Sequence, residues 1–182
     1  MPSQEAPVLA IDVGTSVIKC GLISYEGSAK IVEYPIIPLT DSKGRYEIDT
    51  EQWIKGIRNC MHKLNSPTEI SAVVITGNGP TIVPTGPKGI ANSHAITWLD
   101  SRGEIENQLL SEQTGGNREN SFFLSKIYWV YRNAYNLYKE THKFVSGPEY
   151  IELRLTNDWH TNLPNPIFQK YYWDTTTLEK LG

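Results

Sequence analysis

One stretch near the amino end decides the fold: Ile11-Asp12-Val13-Gly14-Thr15-Ser16-Val17-Ile18-Lys19. It joins two apolar runs, one from Val8 to Ile11 and one from Cys20 to Ile23. A glycine between two runs of this kind predicts a tight turn between antiparallel strands. The chain is therefore expected to open on a β-hairpin.

The same stretch carries residues suited to a nucleotide's terminal phosphate. Gly14 lets the backbone approach a ligand closely, and Thr15 and Ser16 offer hydroxyl and N–H donors for phosphate oxygens. Asp12 is an acceptor for a magnesium ion and its water, and Lys19 returns a positive charge to the same region. The alternative is an ordinary hairpin turn, in which aspartate and glycine serve backbone geometry alone.

Composition excludes several classes of protein. The chain has 182 residues and a net charge of −3, which fits one domain and argues against a nucleic-acid partner. Neither a signal pattern nor an apolar run of about 18 residues is present, so we expect no membrane association. Cys20 and Cys60 lie in apolar patterns typical of buried thiols in a reducing compartment. A cytoplasmic protein is expected.

The first half predicts a meander, a helix and a buried strand. Three β-rich runs, with turns between them, indicate an antiparallel meander: Val8–Asp12, Val17–Ser24 and Lys30–Ile37. Asp49 or Thr50 begins a helix, and the continuous apolar run 70–76 predicts a buried parallel strand. This order predicts a ribonuclease-H-like α/β domain of the actin-like ATPase type, with a mixed sheet flanked by helices. A doubly wound sheet fits a hairpin-linked start less well.

The second half is predicted to be mainly helical. Apolar spacing predicts helices over 101–112 and 126–140, and Pro148 begins a further helix over 149–155. A short strand is expected at 144–146, and a polar surface loop from Asn157 to Pro166.

Six short blocks follow one another in an order typical of one family. They are Ile11-Asp-Val-Gly-Thr-Ser16, Gly44-Arg-Tyr-Glu-Ile-Asp49, Ile75-Thr-Gly-Asn-Gly-Pro80, Thr97-Trp-Leu-Asp-Ser-Arg102, Ser125-Lys-Ile-Tyr-Trp129 and Glu149-Tyr-Ile-Glu-Leu-Arg-Leu-Thr156. Together they resemble the N-terminal domain of the FGGY carbohydrate kinases, xylulokinase-like members in particular. The resemblance covers nearly the whole chain, so residues 1–182 are expected to be this domain without its C-terminal partner.

The resemblance implies transfer of the γ-phosphoryl group of ATP to a sugar or polyol hydroxyl. Asp12 would help to organise Mg²⁺, and Gly14, Thr15 and Ser16 would face the phosphates. Lys19 stands where many members have arginine, and it would supply a point charge instead of a planar fork.

The resemblance places the sugar-binding residues after the strand at 70–76. Asn78, Gly79 and Pro80 stand there, where glycerol-kinase-like members have Gln-Arg-Glu, so glycerol is disfavoured and a pentulose or hexulose is expected. The alternative is a plain Gly-Pro turn. Asp100, in the Trp-x-Asp-x-Arg element, is expected to cap the next helix and pair with Arg102, with direct substrate contact as the second interpretation.

Family members are considerably longer, and their catalytic base lies beyond the position of Gly182. The resemblance therefore implies that no catalytic base lies in this chain, that it has negligible kinase activity alone, and that a homodimer could form through an exposed apolar face. A competing hypothesis is a non-catalytic sugar-sensing or scaffold member of the actin-like superfamily. A ribonuclease-H-type nuclease is disfavoured because only Asp12 is placed for its metal site.

Overall fold

The computed structural model describes residues 6–65, 69–77, 80–113 and 123–161. These residues form two β-sheets and five helices. The strands are β1 (Val8–Val13), β2 (Val17–Ile23), β3 (Ala29–Pro35), β4 (Leu39–Thr40), β5 (Tyr46–Ile48), β6 (Ala72–Gly77), β7 (Ile82–Thr85), β8 (Ala95–Ile96) and β9 (Lys143–Ser146). The helices are α1 (Thr50–Lys63), α2 (Glu104–Gln113), α3 (Leu124–Asn133), α4 (Tyr135–Glu140) and α5 (Gly147–Thr156). Among the described helices, none is long and apolar enough to cross a membrane.

The first sheet has the strand order β3-β2-β1-β6. Strands β1, β2 and β3 pair antiparallel, and β6 pairs parallel with β1, so the sheet is mixed. The predicted meander, with its last strand at an edge, is confirmed. Pro35 ends that edge strand, where a missing N–H donor costs no internal hydrogen bond.

Helix α1 packs against one face of this sheet. Asp49 caps it by accepting a hydrogen bond from the N–H of Glu51, as predicted. The apolar side of the helix, including Trp53 and Cys60, joins the inward residues of β1 and β2 in one core. Cys20 and Cys60 are fully buried there, which confirms the predicted burial of both thiols.

Strand β6 corrects the prediction for residues 70–76. It is parallel, as expected, but among the described strands it lies at the edge of its sheet, and it is not buried: Val73 is 46% exposed and Val74 is 53% exposed. A continuous apolar run indicates a strand that can be buried on both faces, but it does not show whether other elements pack against those faces. The opposite edge strand exposes Ile31, which lies in the same cross-strand row as Val74.

The second sheet, in the order β4-β5-β8-β7-β9, was not predicted. Its strands are two to four residues long and pair with partners far away in the chain, so they carry little local pattern. Strands β4 and β5 of this sheet flank the polar, glycine-containing segment between Thr40 and Tyr46.

Two predicted helices change their bounds. Helix α2 begins at Glu104, three residues late, because residues 97–103 form a loop held by side-chain hydrogen bonds. The helix expected over 126–140 is divided at Ala134, whose backbone leaves the helical conformation with φ −140° and ψ 51°. The side-chain amide of the preceding Asn133 donates to the Trp129 carbonyl and to the Glu106 carboxylate. Helix α5 begins as predicted, with Pro148 in its first turn and a capping box between Ser146 and Glu149.

Candidate functional site

The carboxyl ends of β1 and β6 lie side by side at one edge of the first sheet. Val13 is paired with Gly77 in the parallel register. Gly77 has a φ of +147°, and a Cβ there would overlap the backbone of Val13. Only glycine allows the chain leaving β6 to run this close to the end of β1. Adjacent carboxyl ends of parallel strands are a common place for a ligand.

Asp12 and Lys19 are direct neighbours across the sheet. Asp12 is paired with Lys19 on β2 and with Thr76 on β6, and Lys19 is paired in turn with Glu33 on β3. Residues directly opposite one another present their side chains on one face. The Lys19 ammonium also lies 3.8 Å from the Glu33 carboxylate, with both side chains about half exposed. Asp12, the predicted metal-binding residue, and Lys19, one of the predicted phosphate-binding residues, therefore lie in one polar row with Thr76 and Glu33.

The turn after Asp12 is compact. A Cβ on Gly14 would overlap the carbonyl oxygen of Val17, so glycine is required by the turn itself. Ser16 is exposed, and its carbonyl accepts a hydrogen bond from the N–H of Ile36 at 2.8 Å. The indole N–H of Trp98 donates to the Thr15 hydroxyl at 3.1 Å. A residue 83 positions away therefore lies against the turn.

Asp100 is held by structural partners. Its carboxylate accepts hydrogen bonds from the Tyr46 N–H at 2.8 Å and from the Arg102 guanidinium at 2.7 Å, and its side chain is 1% exposed. The pairing with Arg102 is confirmed. The predicted helix cap is wrong, because α2 begins four residues later and Asp100 instead accepts from the N–H of Arg102 within the loop.

Arg102 connects Asp100 to a second buried carboxylate. Its guanidinium donates to Glu47 at 2.6 Å and lies 4.2 Å from the centre of the Trp129 ring. Burial alone would raise the pKa of Glu47, but Arg102 and Arg45 outweigh it and hold that pKa below its ordinary value. The network fixes the loop that carries Trp98.

A hollow of about 340 Å³ opens beside Trp98, near the small end of the roughly 300–1,000 Å³ of small-molecule sites. The residues around it come from the 97–103 loop, from the starts of α2 and α3, and from the chain after β6: Pro80, Trp98, Leu99, Asp100, Ser101, Gly103, Glu104, Asn107, Ser125 and Lys126. Of the predicted acceptor residues, Pro80 and Asp100 line this hollow, whereas Asn78 and Gly79 lie outside the described residues.

A larger hollow of about 440 Å³ lies elsewhere, at the start of α1. It is lined by Asp49, Thr50, Glu51, Ile90, Ala91, Asn92, Ser93, His94 and Tyr150. None of the predicted site residues lines it. Volume alone therefore does not mark the site indicated by the sequence motifs.

The described residues fit a magnesium ion that arrives with phosphates. No group of three or more histidine, cysteine, aspartate or glutamate side chains converges within the parts of the chain that the structure describes. Magnesium is commonly held by one or two carboxylates plus substrate phosphates and water. A single carboxylate such as that of Asp12, next to a polar turn, is consistent with a magnesium ion that takes few ligands from the protein.

Comparison with known proteins identifies the class. A model of the N-terminal domain of the FGGY family of carbohydrate kinases matches residues 7–167. The chain belongs to this family.

Individual relatives agree with the family assignment. The xylulose kinase of Bacillus subtilis is 27% identical over 170 residues, which cover 85% of this chain and 34% of that protein. A gluconate kinase structure from Lactobacillus acidophilus superposes with a TM-score of 0.84 at 18% identity, covering 98% of this chain and 40% of that one. A xylulose kinase structure from the same organism gives a TM-score of 0.82 at 19% identity, covering 97% of this chain and 40% of its own. The ribonuclease-H-like, actin-like fold is confirmed, and the chain spans about a third of the length of the curated relatives it matches.

Trp98 and Lys126 line the hollow, although the sequence motifs predict no role for either residue. Both lie within the family-like blocks at 97–102 and 125–129. Their position in those blocks is the one sequence feature that could have pointed to them. The contact of Trp98 with Thr15 and the burial of Lys126 depend on long-range packing.

Proposed function

We propose that this chain supplies the phosphate-binding turn and part of the acceptor site of a carbohydrate kinase. The reaction transfers the γ-phosphoryl group of ATP to a hydroxyl of a pentulose-like or hexulose-like sugar. The acceptor oxygen forms a bond to the γ-phosphorus, the bond from that phosphorus to its bridging oxygen breaks, and ADP leaves. The hydroxyl proton passes to a base that we expect in a C-terminal domain beyond this chain.

One observation carries the proposal: the turn with Asp12, Gly14 and Thr15 lies against Trp98, which lines the hollow. A phosphate held at the turn and a sugar held in the hollow would therefore be neighbours. Phosphoryl transfer depends mainly on such positioning and on charge neutralisation. Asp12 with a phosphate-borne Mg²⁺, the hydroxyls of Thr15 and Ser16, and the Lys19 charge supply these requirements. The names of the relatives support sugars and sugar acids as acceptors.

The turnover test uses the complete protein that carries this domain, with this chain alone as a second sample. ADP formation is measured with ATP, Mg²⁺ and a panel containing D-xylulose, D-gluconate and glycerol. The complete protein is expected to show sugar-dependent turnover with a ketose and little with glycerol, because Asn78-Gly79-Pro80 lacks the charged pair of glycerol-kinase-like members. This chain alone is expected to show negligible turnover, since one domain cannot close a cleft around the reacting groups.

A pair of variants separates the kinase from a sugar-sensing or scaffold protein. Asp12→Ala is expected to abolish turnover in the complete protein, whereas Asp158→Ala, the same change at an exposed position after α5, should not. Sugar binding without turnover in the unmodified complete protein would instead favour the sensing role. Turnover that survives Asp12→Ala would remove Asp12 from the proposed site.

A further inference from the structure

Lys126 is a lysine in an unusual place. It lies in the first turn of α3, lines the hollow beside Trp98, and is only 9% exposed. Lysine is rarely buried to this extent, because an ammonium group loses much of its hydration. Burial lowers the pKa of Lys126, and the nearby charge of Asp100 opposes that effect.

The backbone around Lys126 is fixed to the loop that carries Trp98. A Cβ on Gly103 would lie 3.0 Å from the Ser125 carbonyl oxygen and 3.4 Å from the backbone nitrogen of Lys126. The start of α3 is thus packed directly on the loop 97–103. This close contact places the backbone of Lys126 beside the loop that carries Trp98 and Asp100.

The hollow combines a flat ring with hydrogen-bonding groups. Trp98 is 51% exposed and offers part of its indole surface, while Asn107 and Ser101 add amide and hydroxyl groups near Lys126. A sugar has the matching features: C–H groups that pack on an aromatic face, and several oxygens that accept hydrogen bonds. The hollow also adjoins the turn, through the hydrogen bond between Trp98 and Thr15.

We propose that Lys126 is a specificity-determining residue that donates a hydrogen bond to an oxygen of the sugar acceptor in this hollow. The proposal rests on the proposed function and adds a residue to its acceptor site. It places the sugar between the Trp98 ring and the Lys126 ammonium, with the reacting hydroxyl toward the turn.

The test measures sugar and nucleotide binding separately on this chain by NMR titration. D-Xylulose and D-gluconate are the sugar probes, with the indole N–H of Trp98 as reporter; ATP with Mg²⁺ is the nucleotide probe, with the Thr15 amide as reporter. Lys126→Met removes the donor, Lys126→Arg keeps the charge, and Lys88→Met is the matched control at an exposed lysine between Gly86 and Gly89.

Lys126→Met is expected to weaken sugar binding by roughly ten- to a hundred-fold, the range of one hydrogen bond to a charged group. Nucleotide affinity should be unchanged, Lys126→Arg should recover part of the sugar affinity, and Lys88→Met should match the unmodified chain. A purely structural role for Lys126 would instead lower stability or weaken both ligands together, which would overturn the proposal.

A second measurement does not depend on whether the variants fold. In the unmodified chain with labelled lysines, the Cε resonance of Lys126 should shift on sugar addition and that of Lys88 should not. Sugar binding without any Lys126 shift, or nucleotide binding without sugar binding, would overturn this inference and leave the proposed function standing. A chain that binds neither nucleotide nor sugar would count against the proposed function itself.

Discussion

Glu47→Gln is the sharpest test of what holds the site together. Glu47 is 9% exposed at its side chain and accepts from Arg102 at 2.6 Å and from Arg45 at 2.7 Å, with His94 at 3.4 Å. Removing one partner of a buried ion pair costs about 3–5 kcal/mol. Arg102 keeps its bonds to Asp100, and Arg45 is partly exposed, so the cost should lie near the lower end, about 3 kcal/mol.

Urea denaturation followed by circular dichroism at pH 7 measures this cost. A loss of about 3 kcal/mol corresponds to a midpoint roughly 1–3 M lower in urea. The matched control is Glu51→Gln: Glu51 also pairs with an arginine, Arg154 at 2.9 Å, but its side chain is 63% exposed. That control should cost about 0–1 kcal/mol. Equal effects of the two substitutions would refute the claim that the Glu47 network is a buried one.

The difference in unfolding free energy between the unmodified chain and Glu47→Gln should change with pH in one direction only. Burial alone would raise the pKa of Glu47, but Arg102 and Arg45 hold it below the ordinary value of 4.5. A carboxylate with a lowered pKa in the folded state stabilises the protein above its unfolded pKa and loses that contribution as the pH falls. The gap between the unmodified chain and Glu47→Gln should therefore be constant near neutrality and shrink below about pH 4.5. A gap that widens on acidification would contradict this account.

Two further predictions concern the first sheet. Gly14→Ala should lower stability by about 1–3 kcal/mol in thermal unfolding, because its Cβ would overlap the Val17 carbonyl, whereas Gly21→Ala, with ordinary contacts at 3.5 Å, should change it little. Burial and the neighbouring Cys60 thiol raise the pKa of Cys20 to about 12, so Cys20 should not react with a thiol reagent in the folded chain at pH 8. Rapid native-state labelling of Cys20 would show that the strand opens readily.

Much of the first sheet could be predicted because its signals are local. The hairpin around Gly14, the meander, the Asp49 cap and the start of α5 next to Pro148 each depend on residues a few positions apart. The burial of β6 was predicted wrongly, since an apolar run does not say whether a further element lies beside it. The second sheet was missed because its short strands pair only through long-range contacts.

In the candidate site, too, the local arrangements could be predicted from the sequence and the long-range contacts could not. Asp12, Gly14 and Lys19 share one turn, so their proximity follows from the hairpin register. The contact between Trp98 and Thr15 joins residues far apart in sequence, and no spacing rule predicts it. Asp100 was correctly paired with Arg102 from a two-residue interval, but the third partner, Glu47, is 55 residues from Arg102.

The central claim is that the turn at Asp12–Ser16 receives the phosphate tail of a nucleotide with its divalent cation. Paramagnetic line broadening by Mn²⁺ and ATP, in place of Mg²⁺ and ATP, tests this most directly because it reports which backbone amides lie near the metal. The account predicts that the amides of Asp12, Gly14 and Thr15 broaden first, and that Asp12→Ala removes the effect while Asp158→Ala does not. Selective broadening at Asn92 and His94, in the larger hollow, with an unaffected turn would contradict it.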